Sequence, residues 1–71
     1  MQFCDLSTGD LFSIRKYGEP RVYEKTGENE AAHIATKEGF IWKDIDWHDR
    51  EDAIEPFDSG TSVSDVNDYL F

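Results

Sequence analysis

Apolar residues in this chain recur at short intervals between turn-forming residues, and that pattern predicts strands. Gly9, Gly18 with Pro20, Gly27 and Gly39 punctuate the sequence every 9–12 residues, and Pro56 and Gly60 follow. β-branched and aromatic runs fill most of the intervals, as consecutive antiparallel strands require. No window before residue 62 sustains an apolar period of 3.6 residues, so no long amphipathic helix is expected there.

The first expected strand covers residues 11–17, with Phe12 and Ile14 on one face and Leu11, Ser13 and Arg15 on the other. A Gly18-Glu19-Pro20 turn leads into a second strand, 21–26, where Val22 lies across the pleat from Tyr23 and Lys25. The sequence Gly27-Glu28-Asn29-Glu30 reads as a loop. A short third strand follows at 31–36, with Ala32 and Ile34 on one face. Glu38-Gly39 turns the chain into residues 40–47, the most apolar segment. There Ile41, Lys43, Ile45 and Trp47 share one face, while Phe40 and Trp42 share the other. A polar loop, 48–52, leads to a last strand at 53–57.

Five short strands in about 50 residues give an all-β fold: a five-stranded antiparallel SH3-like small barrel, or a strongly twisted sheet. Residues 1–57 form this domain, and residues 58–71 an acidic and apolar C-terminal tail. In the tail, Ser62 or Ser64 would cap a short helical turn with Val66, Tyr69 and Leu70 on one side. Such a turn either folds back and plugs one end of the barrel or stays flexible until a partner orders it.

Size limits what the fold can do. A chain of 71 residues buries only about 60% of its unfolded surface, so its net stability is small. Ten aromatic side chains compensate, since each large ring buries roughly 150–250 Å². One cysteine, Cys4, gives neither an internal disulfide nor a thiolate cluster. No apolar run approaches the roughly 20 residues of a spanning helix. Neither a basic n-region nor an apolar h-region opens the chain. The expectation is a soluble, cytoplasmic protein.

Charge changes the picture most. Residues 1–43 hold seven acids and six bases, whereas residues 44–71 hold nine acids and only Arg50. Nearly all of the net charge of −9 therefore lies in the second part. That field repels nucleic acid and anionic membranes and attracts basic surfaces. Asp44, Asp46, Asp49, Glu51, Asp52 and Glu55 are the candidate partner-binding residues, with Asp65 and Asp68 as a second patch and Phe40 and Trp42 as aromatic contacts.

Other chemistry fits poorly. Counted from Asp44, an EF-hand loop would need Asp or Asn at position 48, Gly at 49 and Glu at 55; only Glu55 complies. A zinc site at His48 would require His33 to approach from another strand. No nucleophile, base and orienting group stand in a recognisable set, and a dense exposed carboxylate cluster does not separate pKa values as acid–base catalysis needs. The expected protein is not an enzyme and uses no metal or cofactor. Arg15, Lys16, Arg21 and Lys25 form a modest basic hairpin, read as a solubilising outer face. Tyr17, Tyr23, Phe40 and Trp42 would supply aromatics for nucleic acid, but the phosphate-neutralising charge is missing from the second half.

The opening Asp5-Leu6-Ser7-Thr8-Gly9-Asp10-Leu11-Phe12 resembles that of short accessory proteins of bacteriophages and prophages. These read roughly Asp-Leu-x-x-Gly-Asp-x-Phe, then Tyr-x-Lys with a later Ala, then a Gly-led strand and a Val/Ile-Glu-Pro ending. Here those elements stand as Tyr23-Glu24-Lys25 with Ala31, Gly39, and Ile54-Glu55-Pro56-Phe57. The likeness covers about residues 3–57 and leaves the tail outside. It implies an SH3-like small β domain of viral accessory origin. A signalling SH3 domain does not match, because its Ala-Leu-Tyr-Asp-Tyr segment and Trp-Trp pair are missing.

Together these readings lead to an acidic, non-enzymatic protein-binding module. Its expected partner is a basic nucleic-acid-binding surface on a host protein, as for a DNA mimic that inhibits restriction or CRISPR-type defence. The alternatives are an assembly protein that self-associates through Phe40, Trp42 and the tail as a homodimer or a ring, and an oligomeric sponge for a small ligand.

Overall fold

A computed structural model describes residues 1–16, 18–46 and 51–66. The fold is all-β: one antiparallel sheet of five strands, with helical structure confined to short 3-10 turns among the described residues. The strands are β1 (Leu11–Lys16), β2 (Glu19–Gly27), β3 (Glu30–Glu38), β4 (Ile41–Asp44) and β5 (Ile54–Pro56).

The first four strands follow one another across the sheet. β5 returns to β3 and shares its outer edge with β4. Residues 35–38 of β3 face β4, and residues 30–32 face β5. Both run antiparallel to β3, so they act as one interrupted strand. The Ile45 amide still donates to the Ile34 carbonyl at 2.9 Å, and the chain leaves the edge only beyond that point.

Two-residue loops set the hairpins, and this shifts several boundaries from those expected. Lys16 opposes Glu19, so the first hairpin is tight, with Gly18 in its turn at φ 80°. Glu19 and Pro20 therefore belong to β2 rather than to the turn. Pairing with β3 starts one residue later, at Arg21 opposite Thr36, so the proline has no β3 partner to deprive of an N–H. Glu38 opposes Ile41, which makes Gly39-Phe40 the third turn, with Gly39 at φ 63°. The segment expected as a strand over 40–47 is consequently paired only over Ile41–Asp44; Trp47 lies outside the described residues.

The sheet is buried on both faces. Val22 and Tyr23 are adjacent in β2 and both fully buried, because side chains alternate across the pleat. On one face Phe3, Phe12, Tyr23, Ala31, Phe57 and Val63 form the larger core. Phe57 stacks on Phe3 at 5.2 Å between ring centroids and meets Phe12 and Tyr23 edge-on. On the other face Val22, Ile34, Ala35 and Val66 cluster, with Leu11 and Trp42 packed against them. A register shift between Val22 and Tyr23 leaves Ile34 as an extra residue on β3, and the twist of such a bulge helps a short sheet curl.

The C-terminal segment closes the curl. After β5 the chain crosses from the β3 edge to the β1 edge, where Ser64 and Ser13 exchange backbone hydrogen bonds at 2.9 and 2.7 Å. On the way, Val63 enters the larger core and its amide donates to the Met1 carbonyl. Ser62 and Ser64 sit in extended bridges, so neither caps a helix. The backbone is recruited into sheet pairing there, which places Val63 and Val66 on opposite faces. Tyr69 and Leu70, the rest of the expected turn, lie outside the described residues.

Candidate functional site

The acidic residues gather where the outer strand is interrupted. Asp44 ends β4 opposite Ala35, and Glu55 lies in β5 opposite Ala31. Between these points on β3 the pairing of the outer strand breaks: the last described bond before the break is from the Ile45 amide, and the described chain rejoins the edge through a 3-10 turn, Glu51–Ala53. Asp46 stands at the start of this break, and Glu51 and Asp52 near its end. Asp49 falls outside the described residues, as does His48. Asp44, Asp46 and Asp52 are exposed. The fold thus brings the exposed Asp44, Asp46 and Asp52 to one edge of the sheet, where the outer strand is broken.

Glu55 has a different setting. It is half-buried, and Tyr23, fully buried in the larger core, donates its hydroxyl to Glu55 Oε2 at 2.7 Å. Arg21 extends this polar group, with Nη2 3.8 Å from Glu19 Oε2. A side-chain hydrogen bond with Tyr23 raises the Arg21 pKa above its ordinary value; partial burial opposes this, and the charges of Tyr23, Glu55 and Glu19 reinforce it. A raised cation contributes its stability at every pH below the ordinary guanidinium value and loses it only as pH rises through the folded one. Arg21 therefore stays charged throughout the working range.

Asp65 lies at the opposite edge of the sheet, beside β1. Its side chain is exposed, and its carbonyl accepts the Ser13 hydroxyl at 3.0 Å. The structure does not bring it to the interrupted strand. Asp68, its companion in the second patch, is outside the described residues.

The basic hairpin is not an outer face at Lys25, which is only 6% exposed. Its ammonium donates to the carbonyls of Phe3 at 3.1 Å and Leu6 at 2.8 Å. It also lies 4.5 Å from the centroid of the Phe3 ring. These contacts replace its hydration, as a buried charge requires. Lys25 and Tyr23 are thereby withdrawn from any nucleic-acid surface. His33 is similarly occupied: its ring stacks on Tyr23, and Nε2 lies 3.0 Å from the Ala35 carbonyl and 2.7 Å from Thr36 Oγ1.

The two aromatic candidates separate. Trp42 is half-buried against the smaller core, with Lys37 Nζ 5.8 Å from its ring centroid. Phe40 is 100% exposed, because the two-residue loop carries it beyond the paired strand. Ile41, expected on a shared apolar face, is 72% exposed for want of a facing layer at the end of the sheet. Beside this tip a shallow depression of about 570 Å³ lies between two hairpin ends, lined by Arg15, Gly18, Glu19, Pro20, Lys37, Glu38 and Gly39. Sequence alternation did not signal it, since it depends on Pro20 and Lys37 becoming neighbours across strands.

Among the described residues, no three His, Cys, Asp or Glu side chains converge as metal ligands would. No described helix is long and apolar enough to cross a membrane. Comparison with known proteins finds no matching family model, no matching curated protein and no matching solved structure.

Proposed function

We propose that this chain is a non-enzymatic binding module whose acidic sheet edge engages a basic surface on another protein. The observation that carries the reading is the break between β4 and β5, around which Asp44, Asp46 and Asp52 stand exposed on a chain of net charge −9. Carboxylates gathered along one edge can occupy positions that phosphates would take, and arginine and lysine pair with both. The partner's chemistry is then that of a nucleic-acid-binding channel. In keeping with the phage-like opening, the setting is inhibition of a host defence nuclease in the cytoplasm. Asp44, Asp46 and Asp52 carry the contact, together with Glu51 and Asp49 from the same segment. Glu55 anchors the returning strand to Tyr23.

The test is competition with duplex DNA for a purified nuclease that has a basic DNA channel, measured across a salt series. Binding should weaken steeply as salt rises, because counterions are released at each neutralised charge. A triple variant, Asp44→Asn with Asp46→Asn and Asp52→Asn, should lose at least about tenfold in affinity, roughly 1.4 kcal/mol. Affinity indifferent to salt, or retained by the triple variant, defeats the electrostatic reading.

A further inference from the structure

The hairpin-end depression and the exposed Phe40 beside it form a contiguous knob and hole, and we propose that this surface pairs two copies of the chain. Gly39 lines the depression and Phe40 is the next residue, so knob and hole adjoin. A surface that carries both halves of a contact side by side suits a two-fold interface, in which each copy fills the other's hole. A fully exposed phenylalanine next to a 72% exposed isoleucine is the largest apolar offering among the described side chains.

The lining matches what a phenyl ring needs. Pro20 supplies an apolar wall, and Gly18 and Gly39 add no side-chain bulk. Arg15 Nη1 donates to the Gly18 carbonyl at 3.1 Å, which holds the guanidinium at the rim. Lys37 stands opposite, above Trp42. Both cations can receive the face of an incoming ring.

Charge selects this surface over the others. Its lining holds two cations, Arg15 and Lys37, and two acids, Glu19 and Glu38, so it is neutral. The rest of a chain with net charge −9 repels its own copy, most strongly at the interrupted strand. At the hairpin ends, Glu19 and Glu38 of one copy can face Arg15 and Lys37 of the other. The contact is small beside the roughly 1,200 Å² of a stable specific interface, so the dimer is weak and transient.

The two proposals predict opposite salt effects. Screening removes repulsion between like-charged copies, so dimerisation strengthens with salt, whereas binding of the acidic edge to a basic partner weakens. Sedimentation equilibrium of the full chain, from about 10 μM to about 1 mM, reads the range expected of so small an interface. The series is run at about 0.01 M and 1 M salt, where the Debye length is about 30 and 3 Å. The expected result is a dimer that tightens several-fold at high salt. Phe40→Ser should weaken it at least about tenfold, as loss of a central aromatic anchor does, with an unchanged melting temperature showing that the fold persists. Arg15→Glu with Lys37→Glu should weaken it as well. A monomer at every concentration and salt overturns the proposal, as does a dimer that Phe40→Ser leaves intact or that salt weakens.

Discussion

Lys25 shows how much one side chain can hold in a core this small. Its ammonium joins β2 to the carbonyls of Phe3 and Leu6, and so fixes the N-terminal turn over the larger core. Lys25→Met keeps the aliphatic stem and removes the donors. Chemical denaturation should show a loss of about 1–3 kcal/mol, the cost of leaving buried acceptors unsatisfied. Tyr23→Phe should cost less, about 1 kcal/mol, because the half-buried Glu55 can turn to water once the hydroxyl is gone. Phe12→Ala removes a fully buried ring that touches Phe3, Tyr23 and Phe57. At about 3–5 kcal/mol it should leave the chain largely unfolded by far-ultraviolet circular dichroism at 25 °C. Alternation along β2 correctly places Lys25 opposite Val22. It does not tell which face is covered, since that depends on Phe3, Phe57 and Val63 arriving from distant parts of the chain. A strand whose two faces are both buried hides its lysine from sequence reading.

At the level of elements, the five strands were legible because turn residues and β-branched runs alternate so regularly. Their ends were less so. Hairpin register is set by loop length, and the two-residue loops at Gly18 and Gly39 moved Pro20 into a strand and Phe40 out of one. The acidic candidates at 44–52 were legible as a charge run, but the break in the strand beside them was not. Only the shared pairing of β4 and β5 with β3 shows that one strand has been broken there. The segment after Phe57 was the least legible element. Its serines suit a helix cap, yet they pair with Gln2 and Ser13 because extended pairing buries both valines. A chain ended after Phe57 keeps all five strands and loses Val63, Val66 and the amide partners of residues 59–64. It should show no cooperative thermal transition in calorimetry, whereas a chain ended after Val66 retains those contacts and should melt cooperatively.

Across the whole molecule, an imbalance of sixteen acids to seven bases works against compactness through self-repulsion. Raising salt from about 0.01 to 0.1 M shortens the Debye length from about 30 to 10 Å. The urea midpoint should rise accordingly, with no change in the slope of the transition. A midpoint that falls would mean that ion pairs, not repulsion, dominate. The strap formed by residues 57–66 has a bearing on how the protein comes into being. Ser13 and Ser64 are 51 positions apart, so the bridge that seals the curl closes a loop of most of the chain, and such long closures slow folding. During synthesis the five strands leave the ribosome before Val63 and Val66 do. The nascent sheet therefore waits with both faces incompletely covered, and its native state is reached only once the strap is released.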